Sequence, residues 1–213
     1  DAIERYDAFL EAYPDSPKAS LARVRRGIAK MRLAITTNRD WAANVKQCEE
    51  VLKEISKEHD YPPAAGDVVN VLAKLGESLA RVAEVDKKPE MIGLGRQALA
   101  LTANENFVPK DSLPADRIAK IEGELLRIEE DLGRDAALTA TLAGIAENVA
   151  AGKTAEAFAL RQDLLKRYPT LETDAKLQEA VLSISAGQQQ GVVISTEAQA
   201  AAPDEASDAT TLA

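Results

Sequence analysis

The chain has 213 residues, enough for one long domain or two short ones, and a formal net charge of −9. Aromatic residues make up only 4%, and eleven glycines and nine prolines punctuate a background of Ala, Leu, Glu and Lys, which favours helix over sheet. No run of eighteen apolar residues is present, so no membrane-spanning helix is expected, and an acidic chain without a basic, aromatic-studded surface argues against nucleic acid as the main partner.

Apolar residues recur at three- and four-residue intervals almost throughout, which predicts about nine helices. The first covers residues 1–13 and ends at Tyr13-Pro14. Asp15-Ser16-Pro17 leads into the second, with Ser16 placed to accept a first-turn amide and Pro17 suited to the first turn. Leu21, Val24, Ile28, Met31 and Ile35 form its stripe. A third carries Trp41, Val45, Cys48, Leu52 and Ile55 and ends before Tyr61-Pro62-Pro63. The fourth has Val68, Val71, Leu72, Leu75, Leu79 and Val82, and Lys88-Pro89 starts a fifth with Met91, Ile92, Leu94, Ala98 and Leu99.

Residues 102–113 read as the one substantial internal loop. Pro114 opens a sixth helix that runs to Leu132, and a seventh follows with Leu138, Leu142, Ile145 and Val149. Gly152 turns the chain into an eighth, stopped by Tyr168-Pro169, and a ninth with Leu177, Val181 and Ile184 fades into Gly187-Gln-Gln-Gln. Only the short Gly191–Ser195 run alternates like a strand, so the expected class is all-α. The helix-interior glycines Gly27, Gly76, Gly93, Gly95, Gly123 and Gly144 each cost about 1 kcal/mol relative to Ala, and several are expected to mark close helix contacts. Residues 1–187 are expected to form one helical domain. Residues 188–213 hold four acids, no base and little apolar bulk, which predicts a disordered linker or tail.

Two stretches share one signature. Ala2 is followed by Tyr6, Phe9 and Tyr13-Pro14; Ala157, with Gly152 ahead of it, is followed at the same intervals by Arg161, Leu164 and Tyr168-Pro169. A small residue, larger side chains four and seven positions on, then a Tyr-Pro stop: this resembles the second helix of a tetratricopeptide (TPR) repeat. Tyr13-Pro14-Asp15-Ser16-Pro17, followed by Ala19, Ala22 and Gly27, is similar to TPR proteins of the bacterial cell envelope. Arg161 stands where such a repeat carries an aromatic and Phe9 where it carries alanine, and residues 40–135 lack consensus proline spacing. The resemblance implies a TPR-like α-solenoid of antiparallel helices, a scaffold rather than an enzyme, and a periplasmic or envelope location if the parent chain is exported. It also places residue 1 inside the second helix of a repeat, so the chain is expected to be a piece of something longer.

The recognition candidates lie on the second helix. Lys18, Arg23, Arg25, Arg26, Lys30 and Arg32 fall within residues 16–38, which hold no acid. At 100° per residue, Lys18, Arg25 and Arg32 form one stripe, while Arg23, Arg26 and Lys30 form another nearly opposite the apolar face. A groove lined this way would clamp the carboxylates of an acidic peptide through bidentate arginine contacts. The same run also suits a solvated face paired with acids on neighbouring helices.

Other constellations are weaker. Ala151-Gly152-Lys153-Thr154 ends like a phosphate loop, but Glu147 occupies the required earlier glycine position and no strand precedes it. Gly93-Leu94-Gly95 lacks the third glycine of a dinucleotide fingerprint. His59 is the only histidine and reads as a surface residue at a helix end. The acids Glu122, Glu124, Glu129, Glu130 and Asp131 suit an exposed face, with Arg127 placed to pair with Asp131. Cys48 and Trp41 continue apolar stripes and are expected in the core. No catalytic, cofactor-binding or metal-ligating residue is nominated, and no cofactor is implied. The expected function is a protein-interaction scaffold for a protein or acidic peptide; the alternative is a structural spacer or oligomerisation arm that presents a downstream domain.

Overall fold

A computed structural model describes residues 1–109 and 114–200, with side chains as far as residue 189. Eight α-helices and no strand are found among the described residues: α1 (Ala2–Ala12), α2 (Ala19–Thr37), α3 (Trp41–Ile55), α4 (Ala65–Val85), α5 (Glu90–Ala103), α6 (Ala115–Ala150), α7 (Thr154–Arg167) and α8 (Ala175–Ala200). Short 3₁₀ turns at Pro62–Ala64 and Pro169–Thr173 precede α4 and α8.

The helix ends follow local chemistry. Asp1 and Glu4 form a capping box on α1, and the Asp40 carboxylate accepts the Ala43 N–H at 3.0 Å to start α3. Tyr13 and Tyr168, each before a proline, take nearly the same non-helical backbone, φ −138° ψ 62° and φ −132° ψ 76°. Proline disfavours the helical conformation in the residue before it, and both helices stop one residue ahead of the tyrosine. Gly152, at φ +72°, makes the α6–α7 turn in the left-handed region that suits glycine.

Three expectations need correction. The sixth and seventh expected helices are one continuous α6: nothing between Leu132 and Ala137 removes an amide or caps an end, and Gly133 alone, at about 1 kcal/mol, is too weak a stop. Among the described residues the count is therefore eight rather than about nine. Second, α8 does not fade at Gly187 but runs to Ala200, through the Gly191–Ser195 run that alternates like a strand. Its hydrogen bonds are local and no proline interrupts them. Of the expected tail, residues 201–213 lie outside the described residues, as do residues 110–113 of the internal loop. Third, α2 begins at Ala19 rather than at Pro17; Ser16 Oγ accepts the Lys18 N–H at 3.2 Å in a turn ahead of the helix.

The chain divides into two compact units, Asp1–Leu132 and Gly133 onward, with the boundary inside α6. In the first unit α2 packs on α1, α3 and α4, and α5 packs on α3 and α4. The core joins Val24, Ile28 and Met31 of α2 to Cys48, Leu52 and Ile55 of α3 and Leu72, Leu75 and Leu79 of α4. Each fully buried leucine contributes about 1.5–3 kcal/mol of transfer free energy. A second cluster links Ala73, Ala80 and Ala83 of α4 and Leu99 of α5 to Ile121, Leu125 and Ile128 of α6. In the second unit Ile145, Ala157, Leu164, Leu171, Leu177 and Ile184 form a core of their own.

Glycines set some of these approaches. A Cβ on Gly27 would meet Ile55 Cγ2 at 2.5 Å, and one on Gly95 would meet Leu125 Cδ2 at 3.0 Å, whereas Gly93 and Gly123 face open space and mark no contact. Ion pairs tie α6 to its neighbours in the first unit. Arg127 binds Glu84 of α4 at 2.6 Å, along with Glu124 at 2.7 Å and Asp131 at 2.8 Å on its own helix. Arg96 of α5 makes a two-pronged contact with Glu129 at 2.6 and 3.1 Å. Between α3 and α4, the buried Tyr61 hydroxyl donates to the Phe107 carbonyl beyond α5. Burial pushes the Tyr61 phenol up to about 12, so it stays a donor through the neutral range.

Candidate functional site

The six basic residues of α2 do not act as one surface. Arg25 and Arg32 line an open groove of about 660 Å³ whose other walls are α1, through Ile3 and Tyr6, and Asp67 of α4. Between and beside the two arginines lie Ile28, Ala29 and Leu33, and Leu33 is 44% exposed despite its size. Lys18, the third member of this stripe, is exposed at the start of α2 and does not line the groove.

Arg23, Arg26 and Lys30 sit on the other side of α2, half-buried rather than pointing to open solvent. Position relative to the apolar stripe misleads here because α2 is contacted on several sides. Ala19, Ala22 and Gly27 are also buried, and their small size lets neighbouring helices close in. Arg26 pairs with Asp7 of α1 at 2.8 Å, and Arg23 reaches Glu58 and the Pro14 carbonyl, each at 3.4 Å. Lys30 shares a crevice of only about 60 Å³ with Glu54 and Glu58.

A second groove, of about 390 Å³, shares Arg32 and Thr36 with the first. It adds Ile35 of α2, Asn70, Val71 and Lys74 of α4, and Arg117 of α6. Lys74 and Arg117 escaped the sequence reading because each is a cation among charges of both signs on its own helix, with no run of bases around it. The available signal was the α4 face on which Asp67, Asn70, Val71 and Lys74 recur at three- and four-residue spacing. Arg117 is already engaged, by Glu77 at 3.0 Å and Asn70 at 3.0 Å. It also borders a third cleft, of about 570 Å³, where Arg81 and Lys120 mix with Glu77, Glu84 and Glu124.

Charge is unevenly committed along this surface. Among the described residues, Arg25 and Lys74 form no ion pair, and Arg32 meets Asp67 only at 3.6 Å, with both side chains more than half exposed. Such a surface can hold carboxylates against an apolar floor. Elsewhere, Cys48 is fully buried, and desolvation pushes its thiol up to about 12. His59 is exposed and pairs with Asp60 at 3.2 Å. No group of three His, Cys, Asp or Glu side chains that could hold a metal ion occurs among the described residues. Trp41 packs, partly buried, against the first core. No helix is long and apolar enough to cross a membrane among the described residues. Among protein-family models, curated proteins and solved structures, none is found that matches the chain.

Proposed function

We propose that this chain is a non-enzymatic protein-interaction scaffold built from TPR-like helical hairpins, and that the α2–α4 surface of its first unit seats an acidic peptide. The observation that carries the reading is the pairing of unpaired or loosely paired cations with exposed apolar surface: Arg25 and Arg32 beside Leu33 in one open groove, and Lys74 in the groove that adjoins it. Helix pairing supports the repeat reading, since α2 meets α4 and α3 meets α5, as stacked hairpins do. So do the matching Tyr13 and Tyr168 stops. The resemblance of residues 13–27 supports an origin in a larger bacterial envelope protein.

The net charge of −9 does not oppose an acidic partner at close range. At physiological ionic strength charges are screened beyond about 8 Å, so a docked carboxylate feels the groove more than the whole molecule. The test is an array of acidic and Gln-substituted peptides probed with the wild-type chain and with an Arg25→Glu, Arg32→Glu variant. Wild type is expected to retain a subset of acidic peptides at low salt, and the double reversal to lose about tenfold or more in affinity with an unchanged helical spectrum. Equal retention by both proteins overturns the reading.

The alternative, a spacer or oligomerisation arm, draws on the second unit. Phe158 and Leu182 there are 41% and 71% exposed. A light-scattering mass that rises with concentration, and falls back when both become Ser, would favour it.

A further inference from the structure

Arg25 and Arg32 are seven residues apart on one helix, which puts them on the same face and separates them by about 10 Å along the axis. Ile28 and Ala29 fill the space between, in the same groove. An extended peptide matches this poorly. Residues three apart in a strand cover about 10 Å but point to opposite faces, while those two or four apart fall near 7 or 13 Å. A helical peptide with carboxylates seven apart reproduces the spacing, and its positions three and four after the first acid then lie over Ile28 and Ala29.

The two arginines are not equivalent. Arg25 has no ion-pair partner among the described residues, but Asp67 stands opposite Arg32 at 3.6 Å, beyond hydrogen-bond length. By comparison, Arg26 holds Asp7 at 2.8 Å. Asp67 lies in the first turn of α4, where the helix dipole favours a carboxylate whether or not Arg32 answers it. Its contact with Arg32 is loose, solvated and exchangeable.

We infer that the groove takes an amphipathic acidic helix with carboxylates seven residues apart, the second of which displaces Asp67 from Arg32. This rests on the acidic-peptide reading above. Asp67 is then a competitor built into the fold, weakening every acidic ligand and favouring those that also engage Arg25 and the apolar floor. The charge lost by Arg32 in one contact is regained in the other, so the net selection falls on spacing.

The probe is a synthetic helix of about 18 residues with two Glu seven apart and Leu between them, beside an isomer with the Glu five apart, on opposite faces. Affinities are read by fluorescence anisotropy for wild type and Asp67→Asn, with far-UV dichroism as the folding control. The seven-apart peptide is expected to bind wild type more tightly than its isomer. Asp67→Asn is expected to tighten it about 2–5-fold, the range of one exposed ion pair, and to leave a Gln-for-Glu version unchanged. Equal binding of the two isomers, or an Asp67→Asn gain shared by the Gln peptide, overturns the inference while leaving the acidic-peptide reading standing. No binding of either peptide, together with a blank acidic array, overturns both.

Discussion

A Cβ added to Gly27 would lie 2.5 Å from Ile55 Cγ2 and 3.0 Å from Val51 Cγ1, so α2 and α3 touch where only hydrogen fits. Ile55 is buried and β-branched, and its Cγ2 has no flexible arm with which to retreat. Overpacking of about 1–3 kcal/mol then outweighs the gain of about 1 kcal/mol that Ala brings to a helix. Gly27→Ala should lower stability, measured by denaturant unfolding, by up to about 2 kcal/mol. Gly123→Ala, with nothing within 4 Å of its added Cβ, should instead raise it by up to about 1 kcal/mol.

Cys48 reports on the first unit as a whole. Its thiol is fully buried and stays protonated until pH approaches 12, against an ordinary value of 9.0. A thiol reagent at pH 8 should therefore react only through unfolding, with a rate that rises with urea in step with the unfolding equilibrium. Fast, urea-independent labelling would contradict the assigned burial. The raised value also sets an alkaline slope. The folded state keeps a proton that the unfolded state gives up, so stability is complete below pH 9 and falls as pH climbs towards 12.

At the acid end the sign reverses. Hydrogen bonds from Arg127 and Arg96 hold Glu124 and Glu129 below their ordinary carboxylate values. Their contribution is present above pH 4.5 and is lost as pH falls through the lowered folded values. Arg127→Gln and Arg96→Gln should each flatten the drop in melting temperature between pH 6 and pH 3. Both guanidinium groups are exposed, and added salt should shrink the difference at neutral pH.

The Nε of Arg161, on α7, is buried with no acceptor among the described residues. Removing that unpaired donor while keeping the aliphatic length should help. Arg161→Met is expected to stabilise the second unit by about 1 kcal/mol in thermal unfolding. A loss of stability would mean that the guanidinium tip makes a compensating contact.

Much of the fold was legible because its signals are local. Tyr13-Pro14, Asp40 before Trp41, Lys88-Pro89 and Gly152 each change the hydrogen bonding of the residue beside them, and the observed helices begin or end there. The division of α6 was misjudged for the same reason: a change in stripe at Leu132 is not a stop unless an amide or a dihedral is altered. The site was legible in part. Helical geometry separated the stripes of α2, but which one faces a groove depends on Asp7 of α1, Glu58 of the turn after α3 and Asp67 of α4. Lys74 and Arg117 join Arg32 only through packing, and no spacing along one helix predicts that.

The hydrogen bond from Tyr61 to the Phe107 carbonyl has a kinetic meaning. Tyr61 precedes α4 and Phe107 follows α5, so the bond encloses one helical hairpin and can form only after both helices have met. A contact that closes only after both helices have docked is expected to contribute little to the transition state for folding. Tyr61→Phe should leave the refolding rate nearly unchanged and speed unfolding about fivefold, the share of one neutral hydrogen bond. The bond is a clasp: it governs how long the first unit stays shut, not how quickly it closes.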